Sequence, residues 1–156
     1  MIRFYSFLLG LACLLTSNVL RAQNIDPVQV ERADSLEQLL NRTKDTQDWV
    51  MSANELSRVL QTVNEKQKGL DLAAKALRLS QKENYVKGIA ASYASMGNAY
   101  REFGQLEKAY NTFYAALEFC LKTKYKKEEG FVYHNLGQIH WEQGDTARAI
   151  QNHQLA

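Results

Sequence analysis

Little in these 156 residues breaks a helix. One proline and eight glycines are too few for the closely spaced turns of a sandwich or barrel. Two cysteines exclude a disulfide framework. No sign of charge dominates: 19 Lys+Arg stand against 17 Asp+Glu, a net charge of +2. That removes the case for a nucleic-acid partner, which needs a strongly basic face. The surplus is Arg3 and Arg21, within the first 22 residues, which hold no acid. The remainder carries 17 charges of each sign, so no global field steers a charged partner. The longest apolar run, Phe7 to Leu15, has nine residues, short of the about 20 that span a bilayer. Also absent are G-x-S-x-G, H-E-x-x-H, a Walker A loop and G-x-G-x-x-G, so neither catalysis nor a cofactor is expected of this chain.

The first segment has the order of a secretory signal peptide: a positive start at Arg3, the apolar run, polar Thr16 to Asn18, then Leu20-Arg21-Ala22. Cleavage is expected after Ala22, leaving Gln23 first and an extracytoplasmic, periplasmic or secreted, protein. Two alternatives are a lipid-modified Cys13 and an uncleaved anchor. After cleavage Cys120 is the single thiol, and its apolar neighbours make it a small core residue.

From Asp26 onward the pattern is helical. Asp26-Pro27 predicts an N-cap and first turn, with Gln29 at the capping-box position. The helix should run to about Asn41 with Leu36, Leu39 and Leu40 on its buried side. Residues 85–116 laid over 125–156 without a gap give eight identities in 32 positions, a repeat with a period of 40. Ile89, Tyr93, Met96, Tyr100 and Phe103 form one helical stripe. Gly104 breaks that helix. Leu106, Ala109, Tyr110, Phe113, Ala116, Leu117 and Cys120 form a second stripe. Gly97 and Ala109 are small where the two helices of a pair should touch, with Phe113 and Tyr100 filling beside them. By the same reasoning Gly88, near a helix start, should tolerate a side chain.

Tyr93-x2-Met96-Gly97-x2-Tyr100, Gly104, Ala109-x3-Phe113 and Ala116 resemble the tetratricopeptide repeat, and Tyr133-x2-Leu136-Gly137, Gly144 and Ala149 repeat the pattern. The period of 40 resembles the long variant of a repeat that usually spans about 34 residues. The resemblance implies an all-α, right-handed solenoid of helix–turn–helix repeats. Its divisions are a signal peptide (1–22), a capping helix and linker (23–45), a degenerate first repeat (46–82), a second (86–122) and an incomplete third (126–156). In the first repeat Ser57, Leu60 and Gly69 replace Gly97, Tyr100 and Ala109. The third stops in mid-helix by this alignment, which leads to the expectation of a longer protein.

No metal site is expected. His134 and His140 lie on different sides of one helix. His140 and His153 stand in register with Tyr100 and Phe113, as replacements for core aromatics. Asn41-Arg42-Thr43 matches a glycosylation sequon. Lys122, Lys124, Lys126 and Lys127, with Glu128 and Glu129, read as a solvated turn. The concave face of such a solenoid is made by the first helix of each pair. The 40-residue period aligns three rows there: Arg58, Asn98 and Gln138; Asn54, Ala94 and His134; Gln61, Arg101 and Trp141. Asn54, Arg58, Asn98, Arg101, His134, Gln138 and Trp141 are therefore the candidate protein- or peptide-binding residues, with Arg101 and Trp141 as anchors. Trp141 has a second reading, packing against a following repeat.

The leader, capping helix and 40-residue repeats resemble the N-terminal sensor arm of exported bacterial signalling proteins, histidine kinases among them. That resemblance implies a protein-interaction scaffold, self-association included, whose catalytic output and membrane attachment lie beyond residue 156. The alternative is a stand-alone exported adaptor without an enzymatic part.

Overall fold

The computed structural model describes residues 26–156; the expected leader, Cys13, and the cleavage site after Ala22 lie outside them. Among the described residues seven helices follow one another: α1 Pro27–Arg42, α2 Thr46–Thr62, α3 Lys66–Lys82, α4 Val86–Glu102, α5 Leu106–Thr123, α6 Lys126–Glu142 and α7 Thr146–Leu155. No strand occurs among the described residues, and no helix there is long and apolar enough to cross a membrane. Each helix packs on the next. The first helices of successive pairs also touch, α2 on α4 and, more lightly, α4 on α6. The architecture is an all-α solenoid.

The starts of α1, α2 and α7 follow the capping chemistry. The Asp26 carboxylate accepts from the Val28 N–H at 2.9 Å, with Pro27 at the first helical position. Gln29 contributes its backbone N–H to the Asp26 carbonyl. The Asp45 carboxylate accepts from Gln47 and Asp48, and that of Asp145 from Arg148. Each satisfies N–H groups that a helix start leaves unpaired.

The ends of α2 to α6 obey a stricter rule. Asn64, Asn84, Gly104, Lys124 and Gly144 all have positive φ, between 52° and 80°. One residue later an N–H closes back over the last turn. Glu65 donates to the Leu60 carbonyl, Tyr85 to Ser80, Gln105 to Tyr100, Tyr125 to Cys120 and Asp145 to His140, at 2.8–2.9 Å. This is the left-handed turn that closes many helix C-termini. It recurs five times at a spacing of 20 residues, so the 40-residue period consists of two equal halves.

The apolar core runs along the seams between helices. Phe113, Ala109, Ala116, Leu117, Val132, Leu136 and Ile139 form one cluster, with Tyr93, Tyr100, Tyr110 and Tyr133 against it. Ala33 of α1 joins Leu56, Val59, Leu60 and Val63 of α2 and its C-terminal turn in another, flanked by Val30, Leu36 and Leu40. Leu39 does not take part: it is 51% exposed. The buried line of α1 runs through Ala33, Leu36 and Leu40 at spacings of 3 and 4, and Leu39 stands about 100° around the helix from Leu40, outside that line.

Close approach is made differently in each pair. A Cβ on Gly97 would lie 2.6–2.8 Å from three ring atoms of Phe113, so the expected tight contact is present. In α6 a Cβ on Gly137 would meet the His153 ring at 2.8–3.0 Å. His153 thus occupies the place of Phe113 yet is exposed, with the His134 ring 5.2 Å away; it is not the buried core aromatic that the register predicts. His140 is buried, edge-on to Tyr110 at 5.6 Å. In the first pair the glycine has moved to the second helix. A Cβ on Gly69 would meet the Ser57 carbonyl at 2.7 Å, and the Ser57 hydroxyl donates to the Gly69 carbonyl at 2.7 Å. Gly88 does not tolerate a side chain as expected. Its Cβ would fall 2.4 Å from Ser80 Oγ and from Tyr85 Cδ1, and 2.8 Å from Val50 Cγ1, because α4 begins between α2 and α3.

Candidate functional site

The first helix of each pair is buried on two sides. In α4 the aromatic stripe faces α5, while Gly88, Ser92, Ser95 and Ala99 form a second stripe with spacings 4, 3 and 4. Val132, Asn135 and Ile139 continue it in α6. The small side chains of the α4 stripe let α2 stand close beside it. The buried hydroxyls are tied down locally. Ser92 Oγ accepts from Asn54 Nδ2 at 3.0 Å, and Ser95 Oγ donates to the Asn54 carbonyl at 3.5 Å. Hydropathy alone misses this stripe, since its serines score as polar.

Along these helices lie three concavities, each sharing lining residues with the next. The first, of about 250 Å³, contains Asn54, Arg58 and Asn98 in its lining. Arg58 and Asn98 also line the second, of about 380 Å³, with Gln61 and Arg101. Arg101 links to the third, of about 440 Å³, with His134, Gln138, Trp141 and His153. All seven candidate residues therefore border one groove.

Their states differ. Asn54 is 5% exposed, not the open groove position its row suggests. It sits in the α2–α4 seam, where its Nδ2 donates to the Val50 carbonyl and to Ser92 Oγ, both at 3.0 Å. Its Oδ1 is buried with no partner, as is Asn98 Oδ1. Arg58 pairs with Glu55, which also holds Arg32 of α1. Arg101 is partly buried and donates to Gln138 Oε1, with the Glu142 carboxylate 3.8 Å away. Gln138 Nε2 in turn lies 3.0 Å from His134 Nε2. Trp141 is 66% exposed at the third concavity. The sequence placed Arg101 and Gln138 on neighbouring rows, but their bond depends on how far apart α4 and α6 stand, which periodicity does not give.

The lysine-rich turn is solvated as expected, with Lys122 on Glu118 and Lys126 on Glu129. Glu128, beside it, is half-buried, and its Oε2 has no partner. It borders the first concavity. Across α6 lies Cys120, whose thiol burial pushes up to about 11, helped by the charges of Glu128 and Glu129. Among the described residues no group of three or more His, Cys, Asp or Glu could hold a metal ion.

Residues 88–156 match the tetratricopeptide repeat family. Among solved structures the chain is similar to BtubC (BKLC) from P. vanneervenii, with a TM-score of 0.66 and 17% identity over 87% of this chain and 56% of that one. It is also similar to the TPR domain of Arabidopsis FLU, with a TM-score of 0.59 and 16% identity over 70% of this chain and 92% of that one. The chain spans little more than half the length of BtubC. At these identities the likeness concerns the fold. No curated protein matches the chain.

Proposed function

We propose that this tetratricopeptide-type solenoid is a protein-interaction scaffold that holds an extended peptide segment of a partner along its concave face. The observation behind the reading is the row of three concavities with shared lining, in which amide, guanidinium and indole groups from α2, α4 and α6 follow one another. Side-chain amides such as Asn98 and Gln138 donate and accept at once, as an extended backbone requires. Trp141 offers a large area to desolvate, with a donor at its edge. The repeats themselves are a non-catalytic scaffold, consistent with the absence of catalytic motifs.

The test is binding of degenerate nonapeptide libraries to the full chain by fluorescence anisotropy. Trp141→Ala or Arg101→Ala is expected to weaken binding by more than about 1 kcal/mol, with helical circular dichroism and melting unchanged. Lys75→Ala is the control, since Lys75 lies over the Trp49 ring at 4.7 Å on the second helix of its pair. If Trp141→Ala instead lowers stability by the roughly 3–5 kcal/mol of a core aromatic, the indole is structural and the anchor reading fails.

Export, and a role as the sensor arm of a longer membrane signalling protein, extend this proposal. They rest on the Arg3 start, the apolar run to Leu15 and Ala22. Mass spectrometry of protein made with its own leader should find Gln23 at the mature N-terminus; an intact Met1 or a lipid on Cys13 would refute it.

A further inference from the structure

We propose that Arg101, Gln138 and His134 form a proton-operated latch on the third concavity, closed while His134 is neutral and opened by its protonation toward an acidic segment of the partner. This inference rests on the groove binding an extended segment. The direction of each bond in the latch follows from its first member. A guanidinium has no acceptor, so the oxygen of the Gln138 amide faces Arg101. The amide nitrogen is then the atom 3.0 Å from His134 Nε2. An amide nitrogen only donates, so His134 Nε2 must be the unprotonated nitrogen and Nδ1 carries the hydrogen. The latch ties two helices together, since Arg101 belongs to α4 and the other two residues to α6.

A proton on His134 breaks this order. Imidazolium donates from both nitrogens, so Nε2–H would meet an N–H of Gln138. Turning the amide over would satisfy His134 and set that N–H against Arg101 instead. The single amide oxygen cannot lie at both ends, so Arg101 is released. The concavity changes charge as well. Its charged and titratable lining consists of Arg101, His134, Glu142 and His153. With neutral imidazoles, Arg101 is balanced by Glu142, 3.8 Å away. Glu102, 3.9 Å from Arg101, is shared with Lys66 of α3. One proton on His134 leaves the lining positive, and His153 of α7, its ring 5.2 Å from that of His134, offers a second protonation site. Both rings are exposed, so solvent supplies the proton. A positive concavity with a freed guanidinium favours carboxylates, which ordinarily stay ionised down to about pH 4.

The experiment has two arms on the full chain, each at about pH 8 and about pH 5, the ends of the range in which histidine ordinarily titrates. In nuclear magnetic resonance spectra His134 should hold its hydrogen on Nδ1 at the higher pH. Acidification should shift the Gln138 side-chain amide and the Arg101 Nη signals together with the His134 ring. By fluorescence anisotropy, two histidine-free nonapeptide libraries are compared, degenerate except for a central glutamate or glutamine. The glutamate library should be preferred about fivefold at the lower pH, the scale of one exposed ion pair, and less than about twofold at the higher. His134→Gln, whose amide oxygen accepts from Gln138 at either pH, should remove the pH dependence with helicity intact, and His153→Gln should keep most of it. A hydrogen on Nε2 at the higher pH, or Gln138 signals that stay fixed while His134 gains its proton, overturns the latch. So does a pH-dependent preference that survives His134→Gln. Binding of both libraries with the same preference at both pH values overturns the opening toward an acidic segment and leaves the groove reading in place. Coupled shifts with binding of neither library support the latch and overturn the groove.

Discussion

Replacing Gly97 by alanine pits two effects of known size against each other. A glycine in mid-helix costs roughly 1 kcal/mol relative to alanine, so in open space the change would stabilise α4 by that amount. The structure forbids open space. The new Cβ would lie 2.6, 2.7 and 2.8 Å from Cζ, Cε2 and Cε1 of Phe113, where carbon atoms rest at about 3.5–4.0 Å. The ring must retreat by roughly 1 Å. It is fully buried among Ala109, Ala116, Leu117, Leu136 and Ile139, so α5 would have to move with it. Overpacking of this kind costs about 1–3 kcal/mol, and Gly97→Ala should come out net destabilising by roughly 1 kcal/mol. Phe113→Leu removes all three clashing atoms. In that background the same Gly97→Ala change should stabilise by about 1 kcal/mol. The sign reversal amounts to a coupling of about 2 kcal/mol, within the range for residues in contact. Urea unfolding followed by circular dichroism at 222 nm measures all four proteins, and each kcal/mol should move the melting temperature by about 3–5 °C. An equal effect of Gly97→Ala in both backgrounds would refute the reasoning, since the glycine would then owe nothing to the Phe113 ring.

Two further outcomes follow from the turns and the core. Lys124 has the left-handed backbone that glycine adopts freely, with φ 57°. That conformation costs an L-residue about 1–2 kcal/mol, against about 0.5–1 for the entropy of a glycine. Lys124→Gly should therefore raise stability by about 0.5–1 kcal/mol, and a lowered melting temperature would contradict it. The Cys120 thiol, pushed up to about 11 by burial and by Glu128 and Glu129, should resist iodoacetamide at pH 8 in the native protein and react once urea exposes it. Because the unfolded thiol ionises nearer pH 8.5, its contribution to stability is complete below that pH and is lost as pH rises toward 11. Stability in Cys120→Ser that falls just as steeply over that interval would assign the loss to other groups.

The sequence carried the helix pairs because packing needs particular residues at fixed spacing: Gly97 against Phe113 and Ala109 beside them are readable as small and large. It did not carry the α2–α4 seam, where burial is achieved with serine and with Asn54, and where hydrogen bonds take the place of hydropathy. Glycine punctuation located Gly104 and Gly144. Asn64, Asn84 and Lys124 hold the same backbone without glycine, so no residue type marks those turns in the sequence. For the groove, the 40-residue rows placed the right side chains on one face. Which of them are already engaged depended on distances between helices: Arg101 is held by Gln138, and Asn54 is drawn into the seam. Glu128 was hidden by its charged neighbours, and only its burial distinguishes it from a solvated turn.

The equal spacing of the five turns makes the groove a phased array. A helix advances 100° per residue, so a single residue inserted inside α4 between Asn98 and Arg101 would swing the guanidinium out of line with Gln138 while leaving every turn intact. A residue inserted beside Gly104 would do the reverse, leaving α4 in phase and setting α5 off from it. A block of 20 residues ending in the same left-handed turn would alter neither quantity but would exchange first helices for second. Only a block of 40 preserves the phase, the turn and the alternation together, so the length of the groove can change in that step alone without disturbing the rows already present.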